Sequence, residues 1–218
     1  MRLPPARRPG RYPVALVCLG NICRSPIAAV VLEDRLARAG LAAVVPVLSA
    51  GTGGWHVGQP MDPRAAATLR GAGLDPSRHR ARQIDASWTD EVDLVLAMDA
   101  ANLTDLADLA PAPTVATVAI PAAGAAAGPA AQPAPARLRL FREEDPLAPG
   151  ADVPDPYYGG DDGFEEVLQM VIRTADALVA DLLEQRPWQS PGAPTAAPEV
   201  APGIVPGAAP QPPGGWTP

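Results

Sequence analysis

The segment CLGNICRS, residues 18–25, places a cysteine, an arginine and a serine where they could act together on a phosphate group. Five residues separate Cys18 from Arg24, and Ser25 follows directly. A loop between a buried strand and a helix N-terminus collects backbone N–H groups with no intrahelical partner, and the helix dipole adds positive charge. Such a loop binds anions, and an arginine fork can bind two phosphate oxygens. The pattern predicts a phosphate-binding loop with Cys18 at its base.

Cys18 is the candidate nucleophile of this loop. Backbone N–H dipoles and Arg24 favour the thiolate at neutral pH, and a thiolate beneath a bound phosphate is positioned to attack phosphorus. Ser25 could stabilise the sulfur as a leaving group. We expect Gly20 to permit a tight backbone and Asn21 to adopt a left-handed one. The alternative is a buried thiol at a strand end and a solvated arginine, but the combined spacing favours the chemical interpretation.

The flanking segments supply the elements that such a loop needs. VALVC at 14–18 is a continuous apolar run, typical of a strand buried on both faces. Residues 25–39 predict a helix, with Ser25 as its cap, Pro26 in its first turn and Gly40 at its end. Further strands are predicted at 43–52, 93–99 and, more weakly, 114–120, and further helices at 62–72, 101–109 and 163–185. This alternation is typical of an α/β layered fold with a parallel sheet.

Composition indicates one folded domain with added segments. The chain has 218 residues; 47% are hydrophobic, but only 4% are aromatic and 29 are prolines. We expect a basic N-terminal extension at 1–12, a folded domain at 13–186 with a flexible Ala/Pro insert at 121–136, and a disordered Pro/Ala/Gly-rich tail at 187–218. A net charge of −7 argues against nucleic-acid binding, which needs a basic face.

The cysteine count limits metal and disulfide chemistry. Cys18 and Cys23 are the two cysteines. With His56 and His79 they could in principle bind zinc, but the paired spacing of structural zinc sites is absent, so no metal is expected. Reduced thiols, together with the lack of a signal-peptide pattern or a long apolar stretch, predict a cytoplasmic protein that does not associate with membranes.

The segment VCLGNICRSPIA resembles the active-site signature of low-molecular-weight protein-tyrosine phosphatases. Four further segments resemble the family in the right order, so that the resemblance covers about 13–120 and 150–186: SAGTGGWHVGQPMDPRA, HRARQI, DLVLAMDAANLTDL and DPYYGGDDGFEEV. It implies a phosphatase domain at 13–186 with a three-layer, flavodoxin-like phosphatase fold. Its four parallel strands would have the order 2-1-3-4, with helices on both faces and the phosphate at the carboxyl end of the first strand.

The resemblance also implies roles for particular residues. Cys18 would form a cysteinyl-phosphate, Arg24 would bind the phosphate oxygens, and Asp155 would protonate the leaving phenolate and then activate water. Taken alone, the Asp-Pro pair at 155 is a common turn. In this resemblance the rest of the phosphate loop consists of Leu19, Gly20, Asn21, Ile22, Cys23 and Ser25. Ser49 and His79 would support the loop by hydrogen bonds. Trp55, Tyr157 and Tyr158 would form the walls of a slot for the aromatic ring.

Phosphotyrosine proteins would be the substrates of a monomeric enzyme without a cofactor. Cys23 is either a small buried residue or the partner of Cys18 in a reversible protective disulfide. The insert at 121–136 lies where the family is more compact, so it either loosens the placement of Asp155 or loops out over the surface.

Three alternatives to a tyrosine phosphatase share a phosphate-binding loop of this kind. A thioredoxin-coupled arsenate reductase needs two further downstream cysteines, which this chain lacks. A protein-arginine phosphatase resembles the loop but has a threonine before its second cysteine, where this chain has Ile22; an apolar Ile22 beside Trp55 favours an aromatic phosphoester. A non-catalytic phosphate-binding module would have lost the nucleophile or the acid, yet Cys18, Arg24 and Asp155 are present.

Overall fold

The computed structural model describes residues 2–109, 137–160 and 162–189. Strands and helices alternate along these residues as the sequence predicts. In chain order the elements are β1 (Val14–Cys18), α1 (Arg24–Arg38), β2 (Val47–Gly51), α2 (Pro63–Gly71), α3 (Trp88–Glu91), β3 (Leu94–Ala97), α4 (Ala100–Leu109), β4 (Leu138–Leu140) and α5 (Asp162–Gln185).

The strands form one parallel sheet in the order β2-β1-β3-β4, which confirms the predicted fold class. Every residue of β1 is buried because the strand is central and both of its faces are covered. Val14 and Leu16 belong to the core formed with α1, α2 and α5, whereas Ala15 and Val17 belong to a second core beneath α3 and α4. The sheet therefore has helices on both sides, and β1 carries Cys18 to its carboxyl edge.

The fourth strand differs from the prediction. Residues 114–120 lie outside the described part of the chain, and the strand paired with β3 is Leu138–Leu140. This strand is only three residues long, and its central residue, Arg139, is buried, with 5% of its surface exposed. Neither length nor composition marks LRL as a strand, so periodicity alone could not identify it.

The start of α1 also differs from the prediction. The helix begins at Arg24 with Cys23 at the cap position, where no side chain accepts a hydrogen bond. Ser25 is therefore inside the first turn, and its hydroxyl is directed at the loop instead of capping the helix. The end of the helix is as predicted, because Gly40 has a φ of +71°, a left-handed conformation that suits glycine. Asp62 caps α2, where its carboxylate accepts the N–H of Arg64 at 2.8 Å.

The N-terminal segment packs against the residues that follow α5. The N–H of Ala6 donates to the carbonyl of Pro187 at 2.9 Å, and that of Gly10 to the carbonyl of Trp188 at 3.0 Å. The indole of Trp188 is 9% exposed and lies 6.4 Å from the ring of buried Tyr12. The described structure thus continues three residues beyond the predicted boundary at 186. The predicted insert at 121–136 and residues 190–218 of the predicted tail lie outside the described residues. No helix among the described residues is long and apolar enough to span a bilayer.

Candidate active site

Cys18 is at the end of β1, at the base of a loop that turns back on its sulfur. The N–H of Asn21 donates to the Sγ of Cys18 at 3.2 Å, and the hydroxyl of Ser25 lies 3.0 Å from the same sulfur. These contacts exist because the loop closes over the strand end and α1 begins immediately after it. Cys18, the candidate nucleophile, is buried at 3% exposure and lines the cavity above the loop.

Asn21 holds the loop in shape from a left-handed conformation. Its φ of +55° is unusual for a residue other than glycine, and its side chain is fully buried. The amide Nδ2 donates to the hydroxyls of Ser25 and Ser49, and Oδ1 accepts the N–H of Arg82 at 2.8 Å. The carbonyl of Asn21 accepts from the Nε2–H of His79 at 2.8 Å. The predicted support residues, Ser49 and His79, are therefore both bound to the same loop residue.

Arg24 lies between two carboxylates at the floor of the site. One guanidinium nitrogen contacts Asp99 at 2.5 Å and the carbonyl of Val153 at 3.1 Å, and the other contacts Asp155 at 2.8 Å. Burial by itself lowers the pKa of Arg24, but the charges of Cys18 and of the two aspartates outweigh it and raise the pKa. A buried guanidinium that stays charged, beside the sulfur, is suited to binding a phosphate.

The segment that carries Asp155 is held over the loop by Arg64. The second oxygen of Asp155 accepts the N–H of Tyr157 at 3.1 Å, which fixes the carboxylate toward Arg24. Arg64 donates to the carbonyls of Tyr157 and Gly159 at 3.1 and 3.4 Å, and it is itself held by Asp62 at 3.0 Å. Helix α2 therefore positions the candidate acid through one arginine.

A cavity of about 290 Å³ opens above Cys18, of a size that could admit a phenyl phosphate. The indole of Trp55 is 71% exposed and the phenol of Tyr158 94% exposed, and the rings of Tyr157 and Tyr158 meet edge to face at 5.0 Å. The predicted catalytic, loop and slot residues are thus brought together around one opening; its lining includes Cys18, Leu19, Gly20, Ile22, Cys23, Arg24, Trp55, Asp155, Tyr157 and Tyr158.

Three residues at the site were not predicted from the sequence: Asp99, Arg64 and His56. His56 lines the cavity, and Asp99 and Arg64 bind Arg24 and the acid segment. A signal for Asp99 was present, because it is the last residue of the third predicted strand and the carboxyl ends of parallel strands share one edge. No such signal marks Arg64, because its side chain donates hydrogen bonds to the backbone carbonyls of Tyr157 and Gly159, which are distant in the sequence.

Space rather than dihedral angle limits the side chain at two glycines of the site, tightly at Gly20 and strictly at Gly51. Gly20 does not have the positive φ found at Asn21; instead, a Cβ at Gly20 would lie 3.2 Å from the ring of His56. At Gly51 a Cβ would lie 2.6 Å from the carbonyl oxygen of Leu19, closer than real contacts allow. The end of β2 can therefore support the loop only with glycine at this position.

The second cysteine is buried next to the site. Burial, followed by the charges of Asp62 and Cys18, raises the pKa of Cys23 to about 12. Cys23 is therefore a neutral thiol at physiological pH. Across the described ranges no group of three or more His, Cys, Asp or Glu side chains is placed to hold a metal ion.

Comparison with known proteins agrees with this geometry. A sequence profile described as low molecular weight phosphotyrosine protein phosphatase matches residues 13–187. The chain belongs to this family. The low molecular weight protein-tyrosine-phosphatase of Streptomyces coelicolor is 46% identical over 178 residues, which are 80% of this chain and 95% of that relative. A second phosphatase of the family, YfkJ of Bacillus subtilis, is 35% identical over 79% of this chain and 97% of its own length.

Solved phosphatase structures share the fold. The crystal structure of Bacillus subtilis YfkJ matches with a TM-score of 0.66 at 32% identity, covering 81% of this chain and 97% of that one. A protein tyrosine phosphatase of Entamoeba histolytica, with Hepes in its active site, gives a TM-score of 0.66 at 27% identity over 80% and 99% of the two chains. The phosphatase family predicted from the sequence, and its four-stranded parallel sheet, are confirmed.

Proposed function

We propose that this phosphatase hydrolyses phosphotyrosine in protein substrates through a cysteinyl-phosphate on Cys18. The observation that carries the proposal is the direct contact of Arg24 with Asp155 at 2.8 Å, beside a sulfur that receives hydrogen bonds from the loop. Nucleophile, phosphate-binding cation and candidate acid thereby meet at one opening. The aromatic rings at its rim support a phenolic substrate.

In the first step the thiolate of Cys18 attacks phosphorus and the bond to the phenolic oxygen breaks. Protonated Asp155 gives its proton to that oxygen, so the leaving group departs as neutral phenol. Arg24 binds the phosphoryl oxygens, which carry the developing charge. A phosphate that binds Arg24 competes with Asp155 for the same guanidinium, and this competition frees the carboxyl group to face the leaving oxygen.

In the second step water attacks the phosphorus of the cysteinyl-phosphate. Asp155 accepts the water proton, the phosphorus–sulfur bond breaks, and inorganic phosphate leaves. The sulfur departs as thiolate, and a hydrogen bond from the hydroxyl of Ser25 lowers the energy of that charge. The residues of this chain account for both proton transfers.

The substrate would be phosphotyrosine rather than phosphoarginine. Ile22 lines the cavity together with Trp55, so the entrance presents apolar surface to a phenyl ring. We further propose that the protein acts as a monomer in the cytoplasm, where the free thiols of Cys18 and Cys23 stay reduced.

The test is turnover of p-nitrophenyl phosphate, with chelator, by the native chain and by Cys18→Ser, Asp155→Ala and Asp155→Asn. We expect no turnover for Cys18→Ser and a loss of about 10²–10⁴-fold in kcat for both aspartate variants, the share of a general acid. Asp155→Asn is the matched control, since its amide keeps the shape of the carboxylate but carries no acidic proton. Full activity in Asp155→Asn would refute the acid assignment.

The substrate class needs a second measurement. Phosphotyrosine and phosphoarginine peptides of the same sequence should be compared by kcat/KM. Preference for the phosphoarginine peptide would move the chain to the arginine-directed branch and contradict the role given to Ile22.

A further inference from the structure

A second and larger cavity, of about 420 Å³, lies behind the phosphate loop. It is lined by the side of α1, the start of β2 and the segment 75–82, and we call it the arginine cavity. Cys18, Arg24 and Asp155 do not line it, so it is separate from the opening above the nucleophile. Its volume is in the range of small-molecule sites. Nothing in the proposed reaction uses it.

The charge of this cavity is opposite to that of the protein. Arg78, Arg80 and Arg82 all line it, although the chain carries a net charge of −7. Two acids also line it, one fewer than the arginines: Glu33 pairs with Arg78 at 3.3 Å, and Asp75 accepts hydrogen bonds from Ser77. The lining therefore has more positive charge than its acids neutralise.

Arg80 and Arg82 have guanidinium donors available for an anion. Arg80 donates to the carbonyls of Ser77 and His79, and Arg82 lies over the ring of Trp88 at 5.7 Å. Among the described residues no carboxylate is within ion-pair distance of either guanidinium. Each guanidinium has five N–H donors, so these contacts leave several for a ligand. Such forks match the oxygens of a phosphate.

Part of the cavity lining is apolar, and we call it the apolar wall. It is formed by Pro26, Ala29, Val30 and Val47. A bare inorganic anion would leave this wall in water, whereas an organic body attached to a phosphate would cover it. We propose that the arginine cavity binds a small organic phosphate of the nucleoside monophosphate class, with its phosphate on Arg80 and Arg82 and its base against the apolar wall.

A ligand in this cavity would contact the support of the catalytic loop. His79 and Ser49 both line the cavity, and both bind Asn21. The N–H of Asn21 in turn donates to the sulfur of Cys18 at 3.2 Å. Asn21 therefore links the residues that the ligand would contact to Cys18. We expect a ligand that binds in the arginine cavity also to change kcat. This coupling rests on the proposed function, whereas binding itself does not.

The binding test uses AMP as probe and the full chain with Cys18 carboxymethylated by iodoacetate, which occupies the phosphate loop. Isothermal titration should give one AMP site on the native sequence and on Arg38→Gln, a control that removes an exposed arginine of α1 outside the cavity. Arg80→Gln should weaken AMP about tenfold or more, the value of charge-assisted hydrogen bonds to a phosphate. Adenosine and inorganic phosphate should each bind more weakly than AMP.

No AMP binding to the blocked protein, or equal affinity in Arg80→Gln and Arg38→Gln, would overturn the site. Turnover by the unmodified chain tests the coupling. AMP should change kcat for p-nitrophenyl phosphate in the native chain and in Arg38→Gln but not in Arg80→Gln. A change in KM alone, equal in all three proteins, would overturn the coupling. If the native chain shows no turnover at all, the proposed function fails while the titration still decides the site.

Discussion

Asn21 should be a principal source of stability for the catalytic loop, and its contribution can be separated into two parts. Its side chain makes three hydrogen bonds, two buried ones with the hydroxyls of Ser25 and Ser49 and a partly buried one with the N–H of Arg82. At about 1 kcal/mol each, their loss in Asn21→Ala costs about 3 kcal/mol of unfolding free energy. Alanine at a φ of +55° adds about 1 kcal/mol of backbone strain, for a total of about 4 kcal/mol.

Asn21→Gly is the matched control because it loses the same hydrogen bonds without the strain. It should therefore be destabilised by about 3 kcal/mol, leaving it about 1 kcal/mol more stable than Asn21→Ala. Urea unfolding of both variants and the native chain, with the slope against urea held constant, measures these values. An alanine variant at least as stable as the glycine variant would refute the strain argument. A loss below about 1 kcal/mol in both would refute the hydrogen-bond argument.

Three further predictions concern charge and redox chemistry. Asp99→Asn should lower the unfolding free energy by about 1–3 kcal/mol, since buried Arg24 loses a charged partner. Added inorganic phosphate should raise the Tm of this variant more than that of the native chain. An equal rise in both proteins would contradict this. After peroxide, Cys23→Ser should fail to regain the activity that a dithiol restores to the native chain, because no neighbouring thiol traps oxidised Cys18 as a disulfide; equal recovery would exclude the disulfide. Burial raises the pKa of Glu144 to about 7. The folded protein therefore favours the neutral carboxyl group, and the stability that this group contributes is fully present below about pH 4.5 and is lost as the pH rises through 7. The difference in unfolding free energy between Glu144→Gln and the native chain, measured with urea, should therefore favour the variant more at pH 8.5 than at pH 5.5. A difference that does not change with pH would contradict this.

The elements nearest the nucleophile could be predicted because their signals are local. The apolar run of β1, the spacing within the loop and the stripe of α1 all lie within residues 14–40. The left-handed Asn21 was predicted from residue type alone, since asparagine tolerates that conformation. The exact start of α1 was not, because Ser25 bonds to a sulfur seven residues earlier rather than to its own helix.

Features that depend on distant contacts could not be obtained in the same way. β4 is a strand because β3 offers it an open edge, and its own three residues carry no periodic signal. Asp155 was placed by resemblance to a family, since an Asp-Pro pair by itself predicts only a turn. The structure adds the partner that holds that carboxylate, Arg24, at a separation of 131 residues.

The contact between the first residues and Trp188 has a consequence for where this protein can be cut. The family profile covers residues 13–187, which invites the assumption that a trimmed chain of that length is equivalent to the natural fold. Trimming there would remove the buried side chains of Leu3, Tyr12 and Trp188, together with the N–H of Ala6 that donates to the carbonyl of Pro187. The core of this phosphatase therefore includes side chains on both sides of the matched segment, and a fusion partner attached directly at Pro13 would replace Leu3 and Tyr12.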